Sequence, residues 1–387
     1  WQWVDQYMAV QKIHEENSTI ELACSGAGCG HYWPAAPGLP FYAVDLIEEL
    51  DSEGEWWLNR TSGQLFVWMP AASQTADGIE LSVCCQQQAR LHRGDCNWFG
   101  GNLVSLTNVS HFTLADVRVD HVRGTGVSCE NCTNVTLSGL TVKWTTMTGI
   151  AVSGGKGVTV SRCNVTETGE GGVSLSGGNR STLARSDHVL VDSDISRFHR
   201  WHFTEIAGVA TNGVGTTVSH CRVSEGRHYA FSPLGNDHTI DSCLIHDVAT
   251  ECWDCGAIDN GRDMTMRGNV VSNNVIHSIG RPHLYPCAGV LYPDITSTER
   301  ACINTALYFD DHYSGWTVYR NAIARVEIGA FVHFGRWNNF TNNVWYAVGI
   351  AIAFEGGGQY DAKALLPAIE AAESFPAWPE YLKRYVG

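Results

Sequence analysis

The stretch Phe112-Thr-Leu-Ala-Asp-Val-Arg-Val119 decides how this chain folds, because it comes back. Val135-Thr-Leu-Ser-Gly-Leu-Thr-Val142 and Val158-Thr-Val-Ser-Arg-Cys-Asn-Val165 carry the same pattern, and the starts 112, 135 and 158 lie 23 residues apart. The phrase returns at Val189, Thr216, His238, Asn269, Trp316 and Asn338, with uneven gaps that read as loops inserted into single coils. A period of this length, with short β runs and Gly punctuation, is the signature of a parallel β-helix. Counted from each start as offset zero, apolar residues recur at offsets 0, 2 and 7. A side chain at a given offset then stacks on its equivalent about 4.8 Å away, one rung on. Leucine-rich repeats share the period, but this chain lacks their Leu ladder.

Offset five reads Cys163, Asp194, Cys221, Cys243, Asn274, Asn321, Asn343. The last three predict an asparagine ladder, whose side chains hydrogen-bond one another and the turn backbone. Cys221 and Cys243 become inward neighbours, either as buried thiols or as a disulfide.

Outward from the repeat, the fold class expected is all-β: a right-handed parallel β-helix with a small N-terminal β subdomain and a short C-terminal helix. Residues 1–95 lack the coil period. They hold alternating strands at Thr19-Ile-Glu-Leu22, Gly54 to Pro70 and Gly78-Ile-Glu-Leu-Ser-Val83, with Thr61-Ser-Gly63 as a hairpin turn. This subdomain is expected to pack on the solenoid of residues 96–356. Residues 357–387 form the C-terminal segment: Asp361 to Phe375 is Ala/Leu/Glu-rich and predicts a helix, and the tail from Ala377 is expected to pack back on the coils.

The chain has 387 residues, 44% hydrophobic and 17% charged, with a formal net charge of −15. That composition suits a folded β-rich protein and excludes a disordered one. The acidic balance argues against nucleic acid as partner, and no apolar run approaches the ~20 residues of a membrane span. A poly- or oligosaccharide fits such a surface. The chain opens on Trp1 without Met and reads as processed or as a fragment.

Of the 14 Cys, several are close pairs: Cys24/Cys29, Cys129/Cys132, Cys252/Cys255 and Cys287/Cys302. Eight Asn open glycosylation sequons: Asn17, Asn59, Asn108, Asn131, Asn134, Asn164, Asn179 and Asn339. Together they point to a secreted, extracellular protein with disulfides in those four pairs. The two C-x-x-C pairs could supply four thiolates to zinc, but they fall about five rungs apart, roughly 24 Å. Cys84, Cys85 and Cys96 are left open, with one bridge to Cys96. Asn164 and Asn339, at offsets that alternate with inward ones, are expected to face solvent.

Two acidic motifs carry candidate chemistry: Gly256-Ala-Ile-Asp-Asn-Gly-Arg-Asp263, and Ala306-Leu-Tyr-Phe-Asp-Asp-His312 followed by Ser314-Gly-Trp316. Asp263 lies six before Asn269 and Asp310 six before Trp316, which predicts stacked neighbours on one outer face. Two carboxyls so close cannot both ionise freely, and one acid with one base is what glycoside hydrolysis needs. Around them stand Asp311, His312, Arg262, Asp254 and Asp259. His333 shares the offset of Asp311 one coil on, and Tyr308 points with Asp310 by strand alternation. Trp253, Trp316 and Trp337 are candidate sugar platforms. The same Asp residues could instead close Asx turns or hold calcium. No other cofactor is expected.

At these residues the chain resembles the parallel β-helix glycoside hydrolases of family 141, whose described activities include α-L-fucosidase and xylanase. The match rests on Phe41 to Arg60, Gly256 to Asp263, Tyr308-Phe-Asp-Asp311 with Ser314 to Tyr319, and Trp378 to Tyr385, and runs nearly the whole length. It implies a catalytic Asp pair, carried onto Asp263 and Asp310, with Asp311 as substitute. Three departures stand out. Asp259 replaces the usual tyrosine after Gly-Ala-Ile, Cys252 and Cys255 flank the motif, and the further coils that normally begin family members are missing. The last predicts either a fragment or a partner molecule over the open N-terminal end. Two functions follow: an extracellular glycoside hydrolase, or a non-catalytic glycosylated β-helix that assembles into a filament or coat. A polysaccharide lyase would need a cationic or calcium-assisted site, and local basic residues are few.

Overall fold

The structure, a computed structural model, describes residues 5, 7–23, 41–69, 101–252, 254–280, 304–355 and 378–385. The chain divides into two compact units: Met8–Asp95, and Cys96–Gly387 together with Gln2–Tyr7.

In the first unit, Val10–His14 pairs antiparallel with Thr19–Leu22, and Trp56–Asn59 with Gln64–Val67. The second hairpin turns through the predicted Thr61-Ser-Gly63. Asn59 makes the turn, its Oδ1 accepting the N–H groups of Thr61 and Ser62, both at 3.0 Å. The Gly78–Val83 strand lies outside the described residues.

In the second unit, three lanes of parallel strands climb together. The first lane stacks nine three-residue strands, from Thr113–Ala115 to Asn339–Thr341. The second begins at Arg118–Val122, and the third at Val104–Thr107. Lanes two and three fuse in the last two coils into the twelve-residue strands Ala322–His333 and Val344–Glu355. This is a parallel β-helix, right-handed as parallel crossovers are.

Offset two is apolar in every described coil (Leu114, Leu137, Val160, Leu190, Val218, Ile240, Val271, Val318, Phe340), and offset seven likewise, from Val119 to Trp345. These columns form the core, with Leu137, Val142, Leu190 and Ile276 fully buried. Each such side chain contributes roughly 1.5–3 kcal/mol relative to exposure. Both corners beside lane two are sharp. Offset four is left-handed in all nine described coils, with φ of 56° at Asp116, 65° at Gly139 and 55° at Asn342, and offset nine is left-handed too, from His121 to Ala347. A left-handed residue reverses the chain in one step.

One start is shifted. Thr159 pairs with Val189, so the fourth coil begins at His188, and Ser193, not Asp194, occupies offset five. Ser193 Oγ duly accepts the Cys163 N–H at 3.1 Å. Ser and Asn present an acceptor to the turn there, whereas the thiols of Cys163, Cys221 and Cys243 donate to turn carbonyls. The asparagine ladder is present: Asn274 Nδ2 donates to Asn321 Oδ1 and Asn321 Nδ2 to Asn343 Oδ1, both at 3.0 Å. Each Oδ1 also accepts the backbone N–H of the previous ladder residue. Cys221 and Cys243 are free buried thiols.

Offset zero is apolar and buried at Val135, Val158 and Trp316, and in the coils between them it holds a second polar ladder. His188 Nδ1 accepts from Val158 N, His238 Nδ1 from Thr216 N, and Asn269 Oδ1 from His238 N. A corner leaves backbone N–H groups unpaired, and an inward imidazole or amide satisfies them.

Cys129–Cys132 and Cys252–Cys255 are bridged, with Cα separations of 5.9 and 6.3 Å. Cys24, Cys29, Cys84, Cys85, Cys96, Cys287 and Cys302 lie outside the described residues, as does the helix expected at 361–375. The helix that is described is α1, Trp378–Tyr385, in the segment expected to be a packed tail. It does pack on the coils. Tyr381 is buried against Leu183, Arg384 pairs with Asp237 at 2.7 Å, and Tyr385 hydrogen-bonds the same carboxylate.

Candidate active site

Lane three changes character as it climbs. Its early strands are short, Val127–Glu130 and Ile150–Ser153, whereas Ala207–Val214, Tyr229–Asn236, Cys255–Gly261 and Asn304–Asp310 are long. Alternation points Leu307 and Phe309 into the core and Tyr308 and Asp310 out of it. Register places Asp259 against Tyr308 and Tyr308 against Phe331. Gly261 lies opposite Asp310, and His333 opposite Glu355. A Cβ at Gly261 would stand 2.9 Å from the Cβ of Asp310, so glycine there makes room for the acid.

The register corrects the expected pair. Asp310 faces Gly261, and the Arg262 N–H bonds the Asp311 carbonyl at 2.8 Å, so Asp263 is not the rung neighbour of Asp310. The turn after Gly261 reaches its next start at Asn269, two residues later than the turn after Asp310 reaches Trp316. Counting back from the starts hides that difference. Asp263 closes an Asx turn onto Thr265 N at 2.8 Å and pairs with Arg180 at 3.1 Å. Similarly His333 stands against Asp310 rather than Asp311, although it reaches both.

His333 is the hub of the outer face. Its Nδ1 lies 2.8 Å from Asp310 Oδ1 and 3.3 Å from Asp311 Oδ1, and its Nε2 lies 3.7 Å from Glu355. Burial opposes the imidazolium, but the bonds to Asp310 and Asp311 and the charges of Asp310 and Glu355 outweigh it and push the pKa up to about 9. Phe331 stacks on the ring at 5.9 Å and Phe334 lies at 4.0 Å, which fixes its orientation. The Asp311 carboxyl is held below its usual range, first by the hydrogen bond to His333, against burial, with help from Arg262 at 3.5 Å.

Two other acids go the opposite way. Asp259 is only 5% exposed, and burial together with the charge of Asp310 drives its pKa well up, against the Gly256 N–H that donates to it at 2.7 Å. Asp254 is raised by burial and by Asp310, against the Tyr308 hydroxyl that donates to it at 2.7 Å. Burial, with the charges of Asp254 and Asp310, raises Tyr308 in turn, so it stays a neutral donor. One face therefore holds two carboxyls pushed up, Asp254 and Asp259, beside one held down, Asp311.

Of the residues singled out, Asp254, Asp259, Arg262, Tyr308, Asp310, Asp311 and His333 come together, and Asp263 does not join them. His312 turns to Phe334, 5.6 Å away. Trp316 is 1% exposed and belongs to the core, so it offers no sugar platform. Trp253 lies outside the described residues. Trp337 is exposed, with Arg267 under its ring at 4.1 Å. Glu355 and Tyr229 were missed. Glu355 follows the last recognisable start, where nothing remains to count back from. Tyr229, raised by burial and by Asp259, gave no signal beyond being an aromatic in a strand.

Asp310, Asp311 and His333 bring their ligand atoms within 4.8 Å of one another, as do His228, Cys252 and Cys255. In the first group His333 answers both carboxylates. In the second the two sulfurs are bonded to each other.

Residues 102–189 match the family described as right handed beta helix region. No curated protein matches the chain. Among solved structures it is similar to a glycoside hydrolase, with 16% identity, 63% of this chain and 40% of that chain covered, and a TM-score of 0.37. It is also similar to the Streptococcus pneumoniae surface protein and adhesin PfbA, with 10% identity, 61% and 68% covered, and a TM-score of 0.35. The chain thus spans about 40% of the length of that glycoside hydrolase. What sheets and family match share is the fold: this chain is a right-handed parallel β-helix.

Proposed function

We propose that the outer face of lane three is the active site of a secreted glycoside hydrolase acting on a poly- or oligosaccharide. The observation that carries the reading is the opposed protonation of neighbouring carboxyls: Asp254 and Asp259 are pushed up, and Asp311 is held down beside a charged His333. Glycosidic cleavage needs one carboxylic acid to protonate the leaving oxygen and one carboxylate to attack carbon or activate water. One of the two raised carboxyls, Asp254 or Asp259, supplies the acid, and Asp310, with Asp311 beside it, the carboxylate. The His333 imidazole, 2.8 Å from Asp310 Oδ1, fixes its rotamer. The resemblance to family 141 points to α-L-fucosides and xylans as first substrates. Two bridged Cys pairs, and exposed sequon residues such as Asn131, Asn164 and Asn339, support an extracellular setting. Among the described residues no helix is long and apolar enough to cross a membrane.

The test is hydrolysis of fucosides, xylosides and plant or algal glycans by the wild type and by Asp310→Asn. Loss of at least ~10²-fold in the variant supports the reading. A wild type inert on the whole panel, and found as a polymer, replaces it with the structural coat.

A further inference from the structure

Burial pushes two carboxyls on this face up, Asp254 and Asp259, and a glycosidase needs one donor. We infer that Asp254 is the proton donor, and that the Cys252–Cys255 bridge is the positioning element that presents it. The inference rests on the glycosidase reading of the face.

Asp259 is poorly placed for the task. A general acid must come within ~2.6–3.2 Å of the oxygen it protonates. Asp259 is 5% exposed, is held inside a paired strand, and has one oxygen engaged by Gly256 N. Asp254 is only partly buried and precedes that strand. Its Oδ1 takes the Tyr308 hydroxyl, which leaves Oδ2 to carry the proton.

What holds Asp254 there is the loop it sits in. Cys252 and Cys255, 1% and 0% exposed, bury their sulfurs in the core beside His228, so both ends of a four-residue loop are pinned inward. Between the pins, Asp254 points out to the Tyr308 hydroxyl. Its backbone is left-handed, φ 59°, a conformation that costs a non-glycine residue about 1 kcal/mol or more. Without the bridge the loop can relax and carry the carboxyl off Tyr308. A displacement of about 1 Å at a reacting group costs on the order of 10²-fold in rate. Burial is the main cause of the upward shift at Asp254, and the groups that face it are Tyr308, Asp310, His333 and Asp311.

The experiment follows Asp254 itself. In protein carrying ¹³C at aspartate carboxyls, its resonance is assigned with Asp254→Asn. It is then titrated in the oxidised protein, in the reduced protein and in Cys252→Ser/Cys255→Ser. The expected midpoint lies above the ordinary carboxylate range with the bridge and falls without it. An unchanged midpoint in a variant that keeps its circular dichroism overturns the positioning role, whether or not the protein is active. On any glycan the wild type hydrolyses, Asp254→Asn, which leaves the core untouched, should lose ~10²-fold in kcat and the basic limb of the pH profile. Asp259→Asn should keep that limb. The reverse pattern overturns the choice of donor. If Asp254 shifts with the bridge but the wild type cleaves nothing, the donor role falls with the glycosidase reading, and the bridge keeps only its hold on the carboxyl.

Discussion

The first ten positions of each coil and the third lane that follows them obey different rules. From offset zero to offset nine no described coil gains or loses a residue, and two left-handed corners and two inward columns recur in all nine. Beyond offset nine the length varies freely, strands run from four residues to eight, and the glycines Gly213 and Gly235 adopt φ of 102° and 125°, open only to glycine. A Cβ at either would meet the carbonyl of the rung before it at 2.0 Å. The constant part is where neighbouring coils must match atom for atom. The variable part is where acids could accumulate on an outer face without disturbing the stack, and it is there that Asp254, Asp259, Asp310, Asp311 and His333 meet.

The largest effect should separate the two kinds of aspartate. Asp310→Asn is expected to lower hydrolysis by ~10²–10⁴-fold while the fold, read by circular dichroism, persists. Asp263→Asn should leave the rate near wild type and lower stability through the lost Arg180 pair. Equal rate losses in both would return Asp263 to the site.

In the constant region, Asn321→Ala should be the costliest polar change. Asn321 accepts from Asn274 and donates to Val271 O and Asn343. Its removal leaves buried partners unpaired at about 1–3 kcal/mol each. Urea unfolding should show a loss of several kcal/mol, and a loss below ~1 kcal/mol would mean that water replaces the ladder.

His333→Gln links stability to pH. The folded pKa is raised, to about 9, so the stabilisation from charged His333 is complete below the ordinary histidine value and lost as pH rises through about 9. The wild type should exceed the variant by on the order of 3 kcal/mol near pH 6, with the gap closing towards pH 10. At the acid end, the share from Asp311, whose pKa is lowered, disappears as pH falls below the ordinary carboxylate range. A gap that does not change with pH would show that His333 is held by packing alone.

The smallest effect belongs to the exposed sequons. Asn164→Gln should remove a glycan from the mass and change stability by no more than ~0.5 kcal/mol.

The coils were legible because a solenoid repeats its own test: each inward column is sampled nine times, and one slipped start, Val189 for His188, does not break the pattern. The acidic face was half legible. Asp254, Asp259, Tyr308, Asp310, Asp311 and His333 share a lane, and their residue types stand out in strands otherwise apolar. The partnership of Asp263 with Asp310 failed because the turn between lanes three and one has no fixed length, so distance from the next start carries no register.

Sequence by itself determined the columns: Leu, Val and Ile at offsets two and seven, and Asn274, Asn321 and Asn343 at offset five, because local periodicity and rung stacking are the same statement. Only the tertiary structure decided which acids touch. The upward shifts at Asp254 and Asp259 depend on burial and on the charge of Asp310, and the downward shift at Asp311 on an imidazole supplied one coil later. A carboxyl's protonation is set by what surrounds it through space, and on this face the surroundings include Tyr308, 54 positions from Asp254 in the chain, and His333, further still.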